Sequence, residues 1–598
     1  MRFLSTFLLI LFTLQSLAQA GKRIVIIHTN DMHSHLNGFA PEAAYTPMTP
    51  NDDKTIGGFA RLASVIKNEK QKSPDNTIVI DAGDFLMGTL FHTVEEETGF
   101  QLPLMKKMGY DIVCLGNHEF DFGVPVLTRI IRSSLKTGSL PEILLGNAVT
   151  SPVEAADNDL EALYSEKVIR HKYIMEKGGL KIGFFSLMGV NAGEVAPKAK
   201  PVTFEKQKKF ATRAVEELKG EKCDMIVCIS HSGLTKGKDG NWEGEDADLA
   251  NSVEGISVII SAHTHSLLDK PLIVNDVPIV QSGEYGEFAG KLSLSVAGGK
   301  ATVESFSLLT VNDEVTGDRE INDLIKGQEK RITEKILKPF GLGYGTPVIE
   351  TPVLLEFNQQ ADLELSNIGP LVADAIHYYI NKHNSQGADI SMTSAGIIRD
   401  KMMPGIQTPA DVFRVMPLGS GKDNVPGYAL SRLYITGHEM KNVIGILLAA
   451  YKSNSDYYCF YSGLRAEFDP GKGLLKKKVT KIDILKSDGT TVNIDLSKKN
   501  KTLYSITANS YMLQFIGIIK KKSFGLINVV PKDAAGKKVT DMSTAVIDMN
   551  EKTAGIQEGK EWLALMEYLQ QMKDVNGNGI PDIEKKYHET IKSMIRIR

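Results

Sequence analysis

An α/β protein is predicted, on three observations. Five runs of four to six residues, rich in Val and Ile and without polar alternation, recur between residues 23 and 265. Such runs are what strands buried on both faces look like. Helix-prone stretches, Phe59 to Gln71 and Phe204 to Lys219 among them, lie between the runs, and each run is followed at once by residues of metal-binding type. In layered α/β sheets, polar residues just past the carboxyl ends of several strands converge on one crevice.

Arg23-Ile-Val-Ile-Ile-His-Thr leads into Asp31 and His33, and Thr77-Ile-Val-Ile-Asp into Gly83 and Asp84. Asp111-Ile-Val-Cys-Leu leads into Asn117, His118 and Glu119, Asp224-Met-Ile-Val-Cys-Ile-Ser into His231, and Ile256-Ser-Val-Ile-Ile-Ser-Ala into His263 and His265. The convergent set is Asp31, His33, Asp84, Asn117, His231, His263 and His265, enough ligands for two metals. Oxygen and imidazole donors without thiolate suit Mn, Zn, Fe or Co. Two cations about 3.5 to 4 Å apart need a bridging carboxylate, activate a water and clamp a phosphoryl oxygen. Asp84, on a glycine turn, is the natural bridge.

The 598 residues suggest more than one domain, and 69 Lys+Arg against 72 Asp+Glu, interspersed, exclude a general nucleic-acid footprint. Residues 1–20 read as a signal peptide: Arg2, an apolar run from Phe3 to Leu14, then Ala18-Gln19-Ala20. The expected protein is exported, periplasmic or secreted, with no transmembrane segment in the mature chain. Cys114, Cys223, Cys228 and Cys459 show no CxxC spacing, and inert buried thiols are expected.

The order DxH, GD, GNHE, H, HxH resembles the calcineurin-like metallophosphoesterases, and Gly116-Asn-His-Glu-Phe-Asp-Phe-Gly123 resembles their 5'-nucleotidase branch. The likeness runs on through Lys181-Ile-Gly-Phe-Phe185 and Val280-Gln-Ser-Gly-Glu284 and covers residues 21–310. It implies a four-layer αββα sandwich with one metal on Asp31, His33, Asp84 and His265 and another on Asp84, Asn117, His231 and His263. Ala262 stands where many members have glycine. His118 is the implied catalyst beside the metals, oriented by Asp121, with in-line attack by metal-bound hydroxide and no phosphoenzyme.

A charged, helix-prone stretch broken by Pro339, Gly341, Gly343 and Gly345 makes 311–344 a linker. Residues 345–572 resemble the 5'-nucleotidase C-terminal domain, an α+β substrate-specificity domain, through Glu364-Leu-Ser-Asn-Ile-Gly-Pro-Leu-Val-Ala-Asp374, Ala395-Gly-Ile-Ile-Arg-Asp400, Asp411-Val-Phe-Arg-Val-Met-Pro-Leu-Gly419 and Leu433-Tyr-Ile-Thr-Gly-His-Glu-Met440. Arg399 matches a substrate-contacting arginine of relatives, but Ser394 stands where Asn is usual and Leu418 where a base-stacking Phe is usual. Tyr511 and Phe515 are the candidate replacements. Stacking on an aromatic ring contributes about 1 to 3 kcal/mol per base, so losing one platform weakens a nucleotide about tenfold or more. Lys520 to Lys522 read first as a solvated loop and second as a phosphate contact. His438, at a helix start, reads as structural.

Residues 573–598 form an extension whose Asp574-Val-Asn-Gly-Asn-Gly-Ile-Pro-Asp582 resembles calcium loops of the EF-hand and thrombospondin type 3 kinds. Asp574, Asn576, Asn578 and Asp582 are the candidate calcium ligands, but position twelve is Lys585. The function expected is an exported dimetal phosphohydrolase acting on a small phosphate ester, a nucleotide first. A non-nucleotide, cyclic-nucleotide or nucleotide-sugar substrate is the alternative that the altered clamp favours. A ligand-binding pseudoenzyme is the alternative of another class.

Overall fold

The computed structural model describes residues 21–598 except 238, 358–364, 424, 452–454, 470–477, 487, 515–528, 590, 593–594 and 598; of 478, 514, 591–592 and 595–597 only the backbone is described. The chain forms two compact units. One holds the residues up to Phe39, Ala44–Met87 and Val94–Gln328, the other Ala40–Ala43, Gly88–Thr93 and Glu329–Arg598.

In the first unit β1 (Lys22–Thr29), β2 (Thr77–Asp81), β3 (Ile112–Cys114), β4 (Glu142–Leu144) and β5 (Ile169–Arg170) lie parallel, side by side. A second sheet holds β6 (Lys172–Lys177), β7 (Leu180–Met188), β8 (Met225–His231), β9 (Val258–Ser261), β10 (Leu272–Val274) and β11 (Val277–Val280), in the order β10-β11-β9-β8-β7-β6. Here β7, β8, β9 and β11 are parallel. The chain then returns to the first sheet as β12 (Phe288–Ala297) and β13 (Lys300–Thr310), antiparallel beyond β1.

The uninterrupted apolar runs are explained by two-sided burial. Ile24 and Ile26 of β1 and Ile78 and Ile80 of β2 meet Phe184, Val227, Ile229 and Ile260 in one core between the sheets. On the other face of β1, Val25 and Ile27 are also buried, and α1 (Phe59–Lys72) buries Phe59, Leu62 and Ile66. The far face of the second sheet carries Phe185, Leu187, Ile226 and Cys228 against Phe210, Ala214 and Leu218 of α2 (Gln207–Gly220). Each such side chain contributes about 1.5 to 3 kcal/mol when fully buried. The layers run helix, sheet, sheet, helix, as the resemblance implied. The helix expected from Phe204 starts three residues later, because Thr203–Phe204 pairs as a short strand with Ala148–Val149.

The linker stretch holds α3 (Arg319–Ile332), a π turn Thr333–Leu337 and a 3-10 turn Lys338–Phe340 that stops at Gly341, φ 72°. In the second unit come α4 (Ile368–His383), β14 (Ile390–Ser394), α5 (Pro409–Val415), β15 (Leu430–Thr436), α6 (Gly437–Ala450), β16 (Cys459–Ser462), β17 (Leu464–Asp469), β18 (Lys478–Leu485), β19 (Thr491–Asn493), β20 (Leu503–Asn509), α7 (Ser510–Gln514), α8 (Glu561–Gln570) and β21 (Ile595–Ile597). Two four-stranded sheets result, β15-β20-β14-β16 and β19-β18-β17-β21. Capping boxes start two helices, Thr408 with Asp411 for α5 and Thr436 with Glu439 for α6. Residues after 573 fold back into this unit: Ile591–Lys592 pairs with Leu365–Ser366, and β21 runs parallel to β17. All four cysteines are free, three of them buried, and burial pushes Cys459 up to about 12. Among the described residues no helix is long and apolar enough to cross a membrane.

Candidate metal centre

Parallel strands in register deliver their ends to one edge. Thr29 stands opposite Asp81 and Ser230 opposite Ser261, so the residues that follow leave the sheets together. The loops are then laced: the Asp31 N–H donates to Gly83 O at 3.0 Å, the His33 N–H to Asp84 O at 2.9 Å, and the His263 N–H to both Asp31 carboxylate oxygens at 3.0 and 3.1 Å. Glu119 ties the ends of β2 and β3, its carboxylate accepting from the N–H groups of Asp84 (3.1 Å), Leu86 (2.9 Å) and Gly116 (2.6 Å). Gly83 sits at φ 102°, where a Cβ would come within 2.9 Å of His231 Nδ1. Asp31, His33, Asp84, His263 and His265 all have φ between 45° and 77°. L-residues there cost about 1 to 3 kcal/mol each, and such outliers collect at functional sites.

The side chains meet. His33 Nε2 and His265 Nε2 are 3.1 Å apart, His33 Nε2 is 4.0 Å from Asp84 Oδ2, and His265 Nε2 is 3.9 Å from Asp31 Oδ1. His231 Nε2 lies 3.0 Å from Asp84 Oδ2 and 3.1 Å from Asn117 Oδ1. Asp31 with His33 and His265, and Asp84 with His231 and His263, form two groups able to hold a cation. The outer nitrogens are engaged too. His33 Nδ1–H donates to Met87 O (3.2 Å), His231 Nδ1–H to Ala82 O (3.0 Å), and His265 Nδ1 contacts the Glu284 carboxylate. Each bond leaves an Nε2 lone pair facing the centre, the arrangement that presents imidazoles to a metal.

The electrostatics run the same way. Burial alone would raise Asp84, but the imidazoles of His231, His118 and His33 hold it well below the usual carboxylate range. Burial alone would lower His231, and the Asp84 carboxylate instead pushes it up to about 10. Burial, with the charge on His231, lowers His263 to about 3. The Asp84 carboxylate is thus the ionised group around which the imidazoles gather. The donor set fits divalent metals of the Mn, Zn, Fe or Co kind.

His118 follows Asn117 on the same turn. Its backbone N–H donates to Asp84 Oδ1 at 2.8 Å and its Nδ1 lies 2.7 Å from Asp121 Oδ2. A His118 nitrogen also groups with His33 and Asp84 closely enough to share a cation.

Two family models match this chain. One, the calcineurin-like phosphoesterase, spans residues 24–267; the other, the 5'-nucleotidase C-terminal domain, spans residues 347–517. The chain belongs to the 5'-nucleotidase family. Similar proteins include a trifunctional nucleotide phosphoesterase of Bacillus subtilis, 24% identical over 82% of this chain and 32% of that protein, so the chain spans about a third of that relative's length. Bovine 5'-nucleotidase (Bos taurus) is 24% identical over 76% of this chain and 78% of its own. The 5'-nucleotidase precursor of Thermus thermophilus has the same fold, with a TM-score of 0.68 at 20% identity, covering 96% of this chain and 99% of that one.

In this family member the second unit holds the other candidates. Ser394 ends β14 and is buried, and the Arg399 N–H donates to Val415 O at 3.0 Å. Leu418 is half-buried, its carbonyl accepting from the Tyr428 N–H at 3.1 Å. Tyr511, on α7, stacks on Tyr428 with ring centres 5.1 Å apart and planes 11° from parallel. Tyr428 was not legible as a partner, because the contact joins segments 83 positions apart. Phe515 and Lys520 to Lys522 lie outside the described residues. His438 Nδ1–H donates to Leu496 O at 3.3 Å.

Just before α7, Asn509 is held by the buried Glu561, its Nδ2 donating to Oε2 at 2.8 Å. Burial pushes Glu561 up to about 8, against 4.5 unfolded. Below 4.5 both states hold the proton; between 4.5 and 8 only the folded state does. Stability is therefore lost at up to about 1.4 kcal/mol per pH unit as pH rises through that window. Glu561→Gln is expected to flatten this slope, with melting temperatures gaining on the parent at pH 8 and matching it near pH 5. Equal slopes by calorimetry would contradict this.

In the extension, Asp574 accepts from the N–H groups of Gly577 (2.6 Å) and Gly579 (2.8 Å), and Asp582 from those of Val575 (2.6 Å) and Asn576 (3.1 Å). The sequence missed Glu350, whose Oε2 accepts from Asn576 Nδ2 at 3.0 Å and Asn578 Nδ2 at 2.7 Å.

Proposed function

We propose that this chain is an exported phosphohydrolase that frees phosphate from 5'-nucleotides, with water as the nucleophile and no phosphoenzyme. The observation that carries the reading is the convergence, from five strand ends, of seven oxygen and imidazole donors, the buried Asp84 carboxylate among them. Asp31, His33, Asp84 and His265 would hold one divalent ion and Asp84, Asn117, His231 and His263 the other. Such ions supply an activated water and a clamp on the phosphoryl oxygens. His118, aligned by Asp121, would stabilise the phosphoryl charge or protonate the leaving oxygen. Nucleotides are supported by the activities for which the relatives are named, and export by the Phe3 to Leu14 run ahead of Ala18-Gln19-Ala20.

Leu418 favours a second reading, a phosphate ester without a nucleobase, because leucine offers no π face. Phosphate release by the mature protein with Mn²⁺ tests both, across AMP, other nucleoside monophosphates, a UDP-sugar, a cyclic nucleotide and sugar phosphates. Nucleotides ahead by orders of magnitude support the first reading, and flat rates or a sugar phosphate ahead support the second. With isotope-labelled water the label is expected in the released phosphate; its absence would sink the water mechanism.

For the 574–582 loop we propose Ca²⁺, with Glu350 supplying the acidic ligand that Lys585 does not. Titration calorimetry is expected to show one Ca²⁺ taken up, weakened at least about tenfold by Glu350→Gln through loss of a carboxylate ligand. No uptake by the parent would leave the loop as an Asn-Gly turn.

A further inference from the structure

We infer that Asn191 is a positioning residue for the metal centre, fixing the ring of His263 so that its Nδ1 faces the ions. The inference rests on reading the centre as a metal site. His263 differs from the other three imidazoles: its Nε2 lies 3.0 Å from Asn191 Oδ1, where theirs face the donors. An Nε2–H held by that amide oxygen leaves Nδ1 as the lone pair, and outer partners of this kind set the tautomer and angle of a ligand.

Asn191 is exposed, so something must hold it. It lies three residues past the end of β7, the strand parallel to β8, and so leaves the same sheet edge as the ligands. The Gly189 N–H donates to His231 O at 2.9 Å, tying this exit to a candidate ligand. Glu245 then grips the start of the short helix Val190–Glu194, Oε2 accepting from the Val190 N–H at 2.7 Å and Oε1 from the Asn191 N–H at 3.0 Å. The segment is thereby docked at both His231 and the chain after β8, with the Asn191 amide presented to His263.

The test is Mn²⁺ titration of the chelator-stripped, full-length mature protein by calorimetry and electron paramagnetic resonance, with the melting temperature as a fold control. Asn191→Leu is expected to weaken one Mn²⁺ about 10- to 100-fold and leave the other unchanged, the usual effect of removing an outer partner. Asn191→Asp, which keeps an acceptor, is expected to restore the loss. Wild-type binding of both ions by Asn191→Leu, while His263→Ala loses one, would overturn the inference. Equal loss in the Leu and Asp variants would also overturn it. Retention of both ions by His263→Ala as well would instead sink the metal reading beneath it.

Discussion

Asp84→Asn is expected to remove nearly all phosphate release while leaving the fold intact. Asparagine keeps an oxygen for the His118 N–H, which Asp84 Oδ1 now accepts at 2.8 Å, so the turn survives. What goes is the charge. Asp84 faces His231 at 3.0 Å and His33 at 4.0 Å, a carboxylate that reaches into both groups of donors. Without it His231 loses the partner that holds its pKa near 10, and the two divalent ions proposed for the centre would lose a carboxylate ligand. Charge stabilisation by a metal is worth several kcal/mol, and about 4 kcal/mol is a rate factor on the order of 10³. Metal content by mass spectrometry is expected to fall together with kcat. Activity within tenfold of the parent would remove Asp84 from the centre.

His118→Asn separates catalysis from metal holding. In the proposed role of general acid or charge stabiliser His118 would contribute about 10²- to 10⁴-fold, and asparagine can neither carry the charge nor pass a proton. The expected result is that loss in kcat with both metal ions retained. Asp121→Asn should move in the same direction by less, since it removes only the carboxylate 2.7 Å from Nδ1. The structure also groups His118 with His33 and Asp84. If His118→Asn loses a metal ion, His118 is a ligand and the proton-transfer role falls.

The residues that such experiments address could be found without coordinates because their grammar is local. A strand buried on both faces must be apolar throughout, and it must end before its chain can offer Asp or His to solvent, so each candidate ligand sits two to four residues past a Val/Ile run or closes it, as His231 does. The groups that support them carry no such mark. Met87 and Ala82 act through backbone carbonyls, which every residue has. Asn191, Glu284 and Glu350 are ordinary polar residues until a partner between 19 and 228 positions away meets them. The helix start at Gln207 was missed for the same reason, since a distant strand claims Thr203 and Phe204 first.

By itself the sequence determined the α/β layering and marked out the candidate donors, because periodicity and residue chemistry are properties of short segments. Only the tertiary structure decided what holds those donors in place. It bonds one nitrogen of each imidazole outward, ties the β2 and β3 loops through Glu119, and turns five of the seven donors into the left-handed backbone region. It likewise brought Glu350 to the calcium-type loop and Tyr428 to Tyr511. These are contacts between segments far apart in the chain, and their geometry follows from packing two sheets and their helices, which no single segment encodes.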